Sequence, residues 1–521
     1  MVTRPSIQEL IEGLLANIAL LQTPGAEGRL AGLVTPALGV LDRLGNEWAN
    51  WIALLAADNE DIRATLAGVG LPVSSPSGDT RAALFGQTAP EAVAALEAEN
   101  RALKDRLVAA IQTLNLPAEA NAPAEHQAAD RAILALLQRS LHRETQVTVA
   151  PSRVPPTSGN AASGGLSLDE LGSVLHRFLA ATIPGARGIT LERLQRLAGG
   201  ASREAWIFDV RWQQDDGEHF EPCILMREPL ASVLVSDSGP GCIDGTRRTV
   251  TNEIRVLRAM HDAGIPVPDI LWSDTDGKWL ERPFSIARRL PGTADVAPIL
   301  ATPAADTLLD QYIDILAKIH SLDPAAIGVD FLGTPTARTA ALEQVKLFDA
   351  NFHAQRLEAF PAITYFTRWL EKHQPVANRV SVIHGDYRLG NFLYEGDRIV
   401  AILDWEQVHV GDPAEEIAFM YWALWSLDAV CPIEEFVQRY EARSGISINR
   451  DSLAWYRVFI ELKMLVVLLT GLKSYFATPE RQLHYGGAHT SEMTRDAQLR
   501  VIEELARGRP TVAFDAYVKP A

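Results

Sequence analysis

One segment constrains this chain more than any other: Val382–Trp405, VIHGDYRLGNFLYEGDRIVAILDW. Phe392–Tyr394 and Ile399–Leu403 are β-prone runs with a turn sequence, Glu395-Gly396-Asp397, between them, so the spacing predicts an antiparallel hairpin. Asn391 stands just before the first strand and Asp404 just after the second. A hairpin brings those positions to its open end, at a cross-strand distance of roughly 5 Å. A carbonyl-type oxygen beside a carboxylate is a hard donor pair, suited to Mg²⁺ rather than to a soft metal. Asp386 lies on the loop leading into that end. A carboxylate there can orient a hydroxyl and take up its proton as phosphorus is attacked. Asp-x-x-x-x-Asn alone is commonplace in solvated turns; the hairpin and the third carboxylate give the spacing its meaning.

The rest of the chain falls into four stretches. Residues 147–165, VTVAPSRVPPTSGNAASGG, are rich in Pro, Ser, Gly and Ala without apolar period and read as a flexible linker. Before it, residues 1–146 read as an all-α domain. Ser6 and Glu9 form a capping box for a first helix, Trp48–Leu66 and Ala128–Leu141 are further apolar stretches, and Ala92–Leu114 carries a heptad pattern. In that pattern Val93, Leu96, Asn100, Leu103, Leu107, Ala110 and Leu114 fill a and d sites, which suits either a short dimerising coiled coil or a helix packed in a monomeric bundle. Residues 166–290 read as a β-rich lobe: a Ser167–Glu170 cap, strands at Ile189–Leu197, Ala205–Trp212, Pro222–Arg227 and Phe284–Leu290, and a helix at Arg248–Ala263. Residues 291–521 read as mostly helical.

Composition sets outer limits. With 48 Lys+Arg against 65 Asp+Glu, the formal charge is −17, which argues against a nucleic-acid or anionic-membrane footprint. It leaves a nucleotide site open, because one local patch of donors is enough. Hydrophobic residues make up 47%, too many for a wholly disordered chain. Cys223, Cys242 and Cys431 form no C-x-x-C pair, so neither a disulfide framework nor a thiolate zinc site is expected. Glu9, Glu12 and Asn17 interrupt what would be a signal peptide's apolar stretch, and the apolar run Ile417–Trp425 falls short of the about 20 residues of a bilayer span. The expectation is a cytoplasmic protein.

The sequence His384-Gly385-Asp386-Tyr387-Arg388-Leu389-Gly390-Asn391, followed by Ile402-Leu403-Asp404-Trp405-Glu406, resembles the aminoglycoside phosphotransferase family, which also includes choline, homoserine and hydroxyacyl-CoA kinases. The resemblance spans about Leu166 to Val512 and implies an α+β, bilobal protein-kinase-like fold, with a small β-rich N-lobe and a larger helical C-lobe behind the all-α N-terminal domain. It implies Asp386 as catalytic base, Arg388 as a cation facing the γ-phosphate, and Asn391 and Asp404 as Mg²⁺ ligands. Gly199, Gly200 and Ser202 look like the nucleotide loop, since glycine lets backbone N–H groups approach phosphate. Arg227 falls where the family more often has a lysine that contacts phosphates and pairs with a helix glutamate, here Glu253. Arginine there marks either a branch related to acyl-CoA-dehydrogenase-linked kinases or a weakened nucleotide site. Arg282–Gly292, with Arg288, resembles the strand and hinge that read adenine. His384 and His320 read as structural, the latter capping a helix, and Glu416 as a loop brace.

The resulting function is an ATP- and Mg²⁺-dependent phosphotransferase acting on a hydroxyl of a small metabolite, with a hydroxyacyl-CoA as the favoured acceptor. Two alternatives are an aminoglycoside or macrolide phosphotransferase, and a pseudokinase that works through its helical N-terminal domain, with homodimerisation through those helices. The aromatic series Trp455, Tyr456, Phe459 and Tyr475 reads as core rather than as a recognition surface.

Overall fold

The computed structural model describes residues 11, 14, 50–73, 89–147, 167–197, 203–228, 249–295, 305–422, 427–477 and 498–506. The Ser6–Glu9 capping box and the linker, apart from Val147, lie outside the described residues, as do Gly199, Gly200 and Ser202. The chain packs as two compact units: Met1–Asn160 with Phe348–His373 and Glu461–Thr511, and Ala161–Leu347 with Gln374–Ile460 and Val512–Ala521. No described helix is long and apolar enough to cross a membrane.

The first unit is helical. Helix α1 (Trp51–Gly68) packs on α2 (Ala89–Thr113) and α3 (Ala124–Val147). Trp51, Leu54 and Leu55 of α1 meet Leu96 of α2 in a common core. Leu96, Asn100, Leu103, Leu107 and Ala110 are all buried within the chain. The a/d seam of α2 is therefore spent on packing inside this bundle.

Asn100 shows how the seam tolerates an amide. Its Nδ2 donates to Asp58 Oδ2 at 3.0 Å and to Asn59 Oδ1 at 2.7 Å. Asp58 also accepts from Ser140 Oγ at 2.6 Å and from Arg143 Nη2 at 3.0 Å. One buried carboxylate thus ties three helices by polar contacts that must all be present to offset its desolvation.

The second unit opens with α4 (Leu168–Thr182), whose Ser167 and Glu170 form the expected reciprocal capping box. Strands β1 (Arg187–Arg196), β2 (Glu204–Gln214), β3 (Gly217–Arg227), β4 (Ile270–Asp274) and β5 (Phe284–Arg288) make an antiparallel sheet in the order β1-β2-β3-β5-β4. Between β3 and β4 runs α5 (Val250–Asp262), capped by Thr249. One sheet face is dry: Leu171, Leu175 and Phe178 of α4 pack on Trp206, Phe208, Cys223, Leu225, Phe284 and Ile286.

Helices α6 (Ala305–Ser321), α7 (Ala340–Gln355), α8 (Pro361–Lys372), α9 (Pro413–Met420), α10 (Ile433–Ser444) and α11 (Arg450–Ala477) make up the C-terminal half. Two short ribbons interrupt them: β6 (Ser381–Ile383) with β9 (His409–Gly411), and β7 (Phe392–Glu395) with β8 (Arg398–Ile402). Residues 348–373 and 461–477 group with the N-terminal helices, so α7 and α11 contribute to both units. Trp455, Tyr456 and Phe459 are buried and pack against one another. The Tyr475 side chain lies outside the described residues.

Asp58→Ala should strip Ser140, Arg143 and Asn100 of their shared acceptor and lower stability by about 3 kcal/mol. Urea unfolding followed by circular dichroism checks this, and a loss below about 1 kcal/mol would show that the network is not holding the helices together.

Candidate active site

The hairpin forms as the sequence requires. Phe392 pairs with Ile402 and Glu395 with Arg398, leaving Gly396-Asp397 as the turn. Leu403 N donates to Asn391 O at 2.8 Å, so Asn391 and Asp404 stand at the same open end. The hairpin is docked from two sides. Thr293, just beyond β5, exchanges both backbone hydrogen bonds with Tyr394, and Pro266 O accepts from Ile402 N. Gly292 (φ 110) is required at that crossing, because a Cβ would come within 2.6 Å of Tyr394 O.

The loop before the hairpin is fixed by buried polar contacts. His384 Nε2 donates to Leu403 O at 3.0 Å, and its Nδ1 accepts from Asp386 N at 3.2 Å, which assigns a neutral ring. Glu416 accepts from His384 N and from Gly385 N. Tyr387 and Tyr312 exchange hydroxyl-to-carbonyl bonds, joining the loop to α6. Gly385 has φ 84, and a Cβ there would sit 2.3 Å from Gln407 O, so glycine lets the loop touch the turn that follows Asp404. Glu416 thus braces the loop, as read from the sequence. His320 does so indirectly: its Nδ1 meets Tyr440 Oη at 2.8 Å and its Nε2 lies 3.9 Å from Glu416, while burial lowers its pKa and keeps it neutral. It is a buried strut rather than a helix cap.

At the centre, Asp386 Oδ1 accepts from Arg388 Nε at 3.1 Å. Asn391 Nδ2 donates to the Asp386 carbonyl at 2.9 Å, which leaves its Oδ1 as the end suited to a cation. Asp404 is left-handed (φ 66, ψ 58), a conformation that costs a residue with a Cβ roughly 1–2 kcal/mol and is best tolerated by Asp and Asn. Burial first, and then Glu406, Asp386 and Glu253, push its carboxyl well above the usual range, with Arg388 opposing. That crowding of negative charge is what a divalent cation relieves. Among the described residues no three His, Cys, Asp or Glu side chains form a ready-made metal cage. The donor set fits Mg²⁺, which takes one or two protein oxygens and completes its shell with water and phosphate.

The other predicted residues are placed differently. Arg227 is buried and does not meet Glu253; its Nε and Nη2 fork onto Glu204 at 2.9 and 2.6 Å. The reason is strand parity: Arg227 shares a face with Cys223 and Leu225, in the α4-covered core, directly opposite Glu204. Glu253 instead meets Arg203 at 3.2 Å, a residue that sequence reasoning passed over. Arg288 is half-exposed at the end of β5 and pairs with Glu221 at 2.7 Å.

A family model described as "Phosphotransferase enzyme family" matches residues 193–456, just over half of the chain. The chain belongs to that family of phosphotransferases, and its α+β architecture of a five-stranded antiparallel sheet followed by helices agrees with the fold expected from its motifs. Acyl-CoA dehydrogenase family member 10 of Mus musculus is 26% identical over 212 residues, covering 40% of this chain but only 20% of the relative. Viomycin phosphotransferase of Streptomyces vinaceus is 26% identical over 180 residues, 31% of this chain and 58% of the relative. Macrolide 2'-phosphotransferase from Brachybacterium faecium, a solved structure, is 19% identical with a TM-score of 0.38, covering 62% of this chain and 97% of that one. The chain thus spans from a fifth to somewhat over half of the two curated relatives named.

Two outcomes follow from the local geometry. Gly385→Ala should destabilise the second unit by more than about 3 kcal/mol, whereas Gly396→Ala, with φ 63 and open space around it, should cost about 1 kcal/mol. Equal melting temperatures for the two variants would contradict the close approach. Asp412 caps α9 by accepting from Ala414 N at 2.9 Å. Burial raises its carboxyl to about 7, with Glu415 adding to it and hydrogen bonds from Ala414 N and the Ser452 side chain opposing. Between about pH 4 and 7 the folded chain keeps a proton that the unfolded chain has lost, so this group's contribution to stability falls as pH rises through that window. Asp412→Asn keeps the cap and removes the titration. Its stability relative to the wild type should therefore rise by about 1–3 kcal/mol between pH 5 and pH 8; a constant difference would contradict the shift.

Proposed function

We propose that this chain transfers the γ-phosphoryl group of ATP to a hydroxyl of a small metabolite, with Mg²⁺ as the metal. The observation that carries the reading is the convergence of Asp386, Asn391 and Asp404 at the open end of one hairpin, on a loop held by Glu416. Asp386 is the base. Arg388 holds one carboxylate oxygen through Nε, which orients the other towards an acceptor hydroxyl whose proton it would take up. The Arg388 guanidinium, beside that carboxylate, also stands ready to balance phosphoryl charge. Asn391 and Asp404 would hold Mg²⁺, which when bound neutralises charge on the transferring phosphoryl group. The brace from Glu416 and the Tyr312–Tyr387 exchange fix these side chains before substrate arrives, and such positioning supplies much of the rate in phosphoryl transfer.

For the acceptor, we favour a hydroxyacyl-CoA. Support comes from a relative named as an acyl-CoA dehydrogenase family member, matched over a segment that is only part of its length. An antibiotic acceptor is the second reading, supported by the similarity to viomycin phosphotransferase. The same reading places the protein in the cytoplasm, where ATP and Mg²⁺ are available. Self-association, if used, has to draw on a surface other than the buried a/d seam of α2.

Asp386→Asn should lower turnover at least about a thousandfold while leaving nucleotide affinity within a few-fold. ADP release measured against hydroxyacyl-CoA thioesters, simple alcohols and antibiotics tests both the base and the acceptor class. Near-wild-type turnover in Asp386→Asn would remove the base assignment. Release stimulated by an antibiotic and not by a thioester would reverse the acceptor order.

A further inference from the structure

The structure assigns the cation that positions Glu253 to Arg203, at the entry of β2, rather than to Arg227 at the end of β3. This rests on the phosphotransferase reading and concerns how the same site is assembled.

Strand alternation separates the two arginines. Glu204 lies opposite Arg227 in the β2–β3 register, on the core side of the sheet. Glu204 Oε2 is engaged there by Arg227 and lies 3.5 Å from Arg282 as well. Arg227 also lies over the Trp206 ring, with its guanidinium carbon 5.2 Å from the centroid. It is therefore fully committed to the α4-covered core. Arg203 precedes Glu204 by one residue, and successive side chains on extended backbone point to opposite sides. Its guanidinium accordingly reaches the other face, where Nη2 is 3.2 Å from Glu253 Oε2 on α5 and Nη1 is 3.8 Å from Glu406 Oε2.

Glu406 is two residues beyond Asp404, in the turn that Gly385 contacts. One guanidinium thus joins three elements: the start of β2, the helix α5 and the turn carrying Asp404. Its side chain is 3% exposed, so the bridge is screened little by solvent. Arginine suits the task because its planar fork can face two carboxylates at once, where an ammonium offers a single point charge. Arg203 is a positioning residue that holds α5 and the Asp404 turn in register for a Mg²⁺-nucleotide.

The test is calorimetric titration of Mg·AMP-PNP and of adenosine into the full chain. Arg203→Gln alone leaves two buried carboxylates facing each other and risks unfolding, so the variant used is Arg203→Gln/Glu253→Gln, first shown to melt cooperatively. It should bind Mg·AMP-PNP at least tenfold more weakly than the wild type, with adenosine affinity within twofold. Arg227→Gln/Glu204→Gln should show the smaller loss for Mg·AMP-PNP. Equal weakening of adenosine and Mg·AMP-PNP marks a merely structural role and overturns the assignment, as does a larger loss in the Arg227 pair. Absence of nucleotide binding by the wild type overturns the phosphotransferase reading itself, and the inference with it.

Discussion

The hydrogen bonds from His384 N and Gly385 N to the buried Glu416 carboxylate are the contact on which the rest of the site depends. They anchor the loop at the point where a left-handed glycine presses on the turn after Asp404. With that backbone fixed, the His384 ring is aligned to donate to Leu403 O, one residue before Asp404, and to accept from Asp386 N. Asp386 and Asp404 are therefore both placed by one imidazole and one glutamate. Charge-assisted bonds of this kind are shorter and stronger than neutral ones, and their burial makes them hard to exchange for water.

The surroundings of Asp404 show why such bracing is needed. Asp404, Glu406, Asp386 and Glu253 crowd negative charge into a buried volume, and Arg388 and Arg203 are the cations set against it. A flexible loop would let the acids move apart and reach solvent. A rigid one keeps them together, so the electrostatic cost is retained in the structure until a divalent cation offsets it.

Much of this was legible in the sequence because it is local. The hairpin follows from two β-prone runs on either side of Glu395-Gly396-Asp397, and the placement of Asn391 and Asp404 follows from its register. The cap of α4 was written in Ser167 and Glu170. What escaped depends on distant partners or weak patterning. Strand β4 is a five-residue edge strand of partly buried side chains following a Pro-x-Pro segment, with no clean alternation to mark it. The Arg203–Glu253–Glu406 bridge joins residues far apart in sequence, and only the parity of β2 and β3 shows that Arg203, not Arg227, reaches Glu253. Asn100 was recognisable as a polar seam residue, yet nothing nearby in sequence pointed to Asp58 or Ser140 as its company.

The central claim is that the hairpin's open end holds a divalent metal together with nucleotide phosphates. Mn²⁺ in place of Mg²⁺ allows this to be observed directly by electron paramagnetic resonance on the full chain. The account predicts that ADP or AMP-PNP causes Mn²⁺ to be immobilised on the protein, and that Asn391→Ala/Asp404→Ala releases it to the free-ion spectrum. Immobilisation that persists in the double variant, or a wild-type spectrum unchanged by nucleotide, would contradict it.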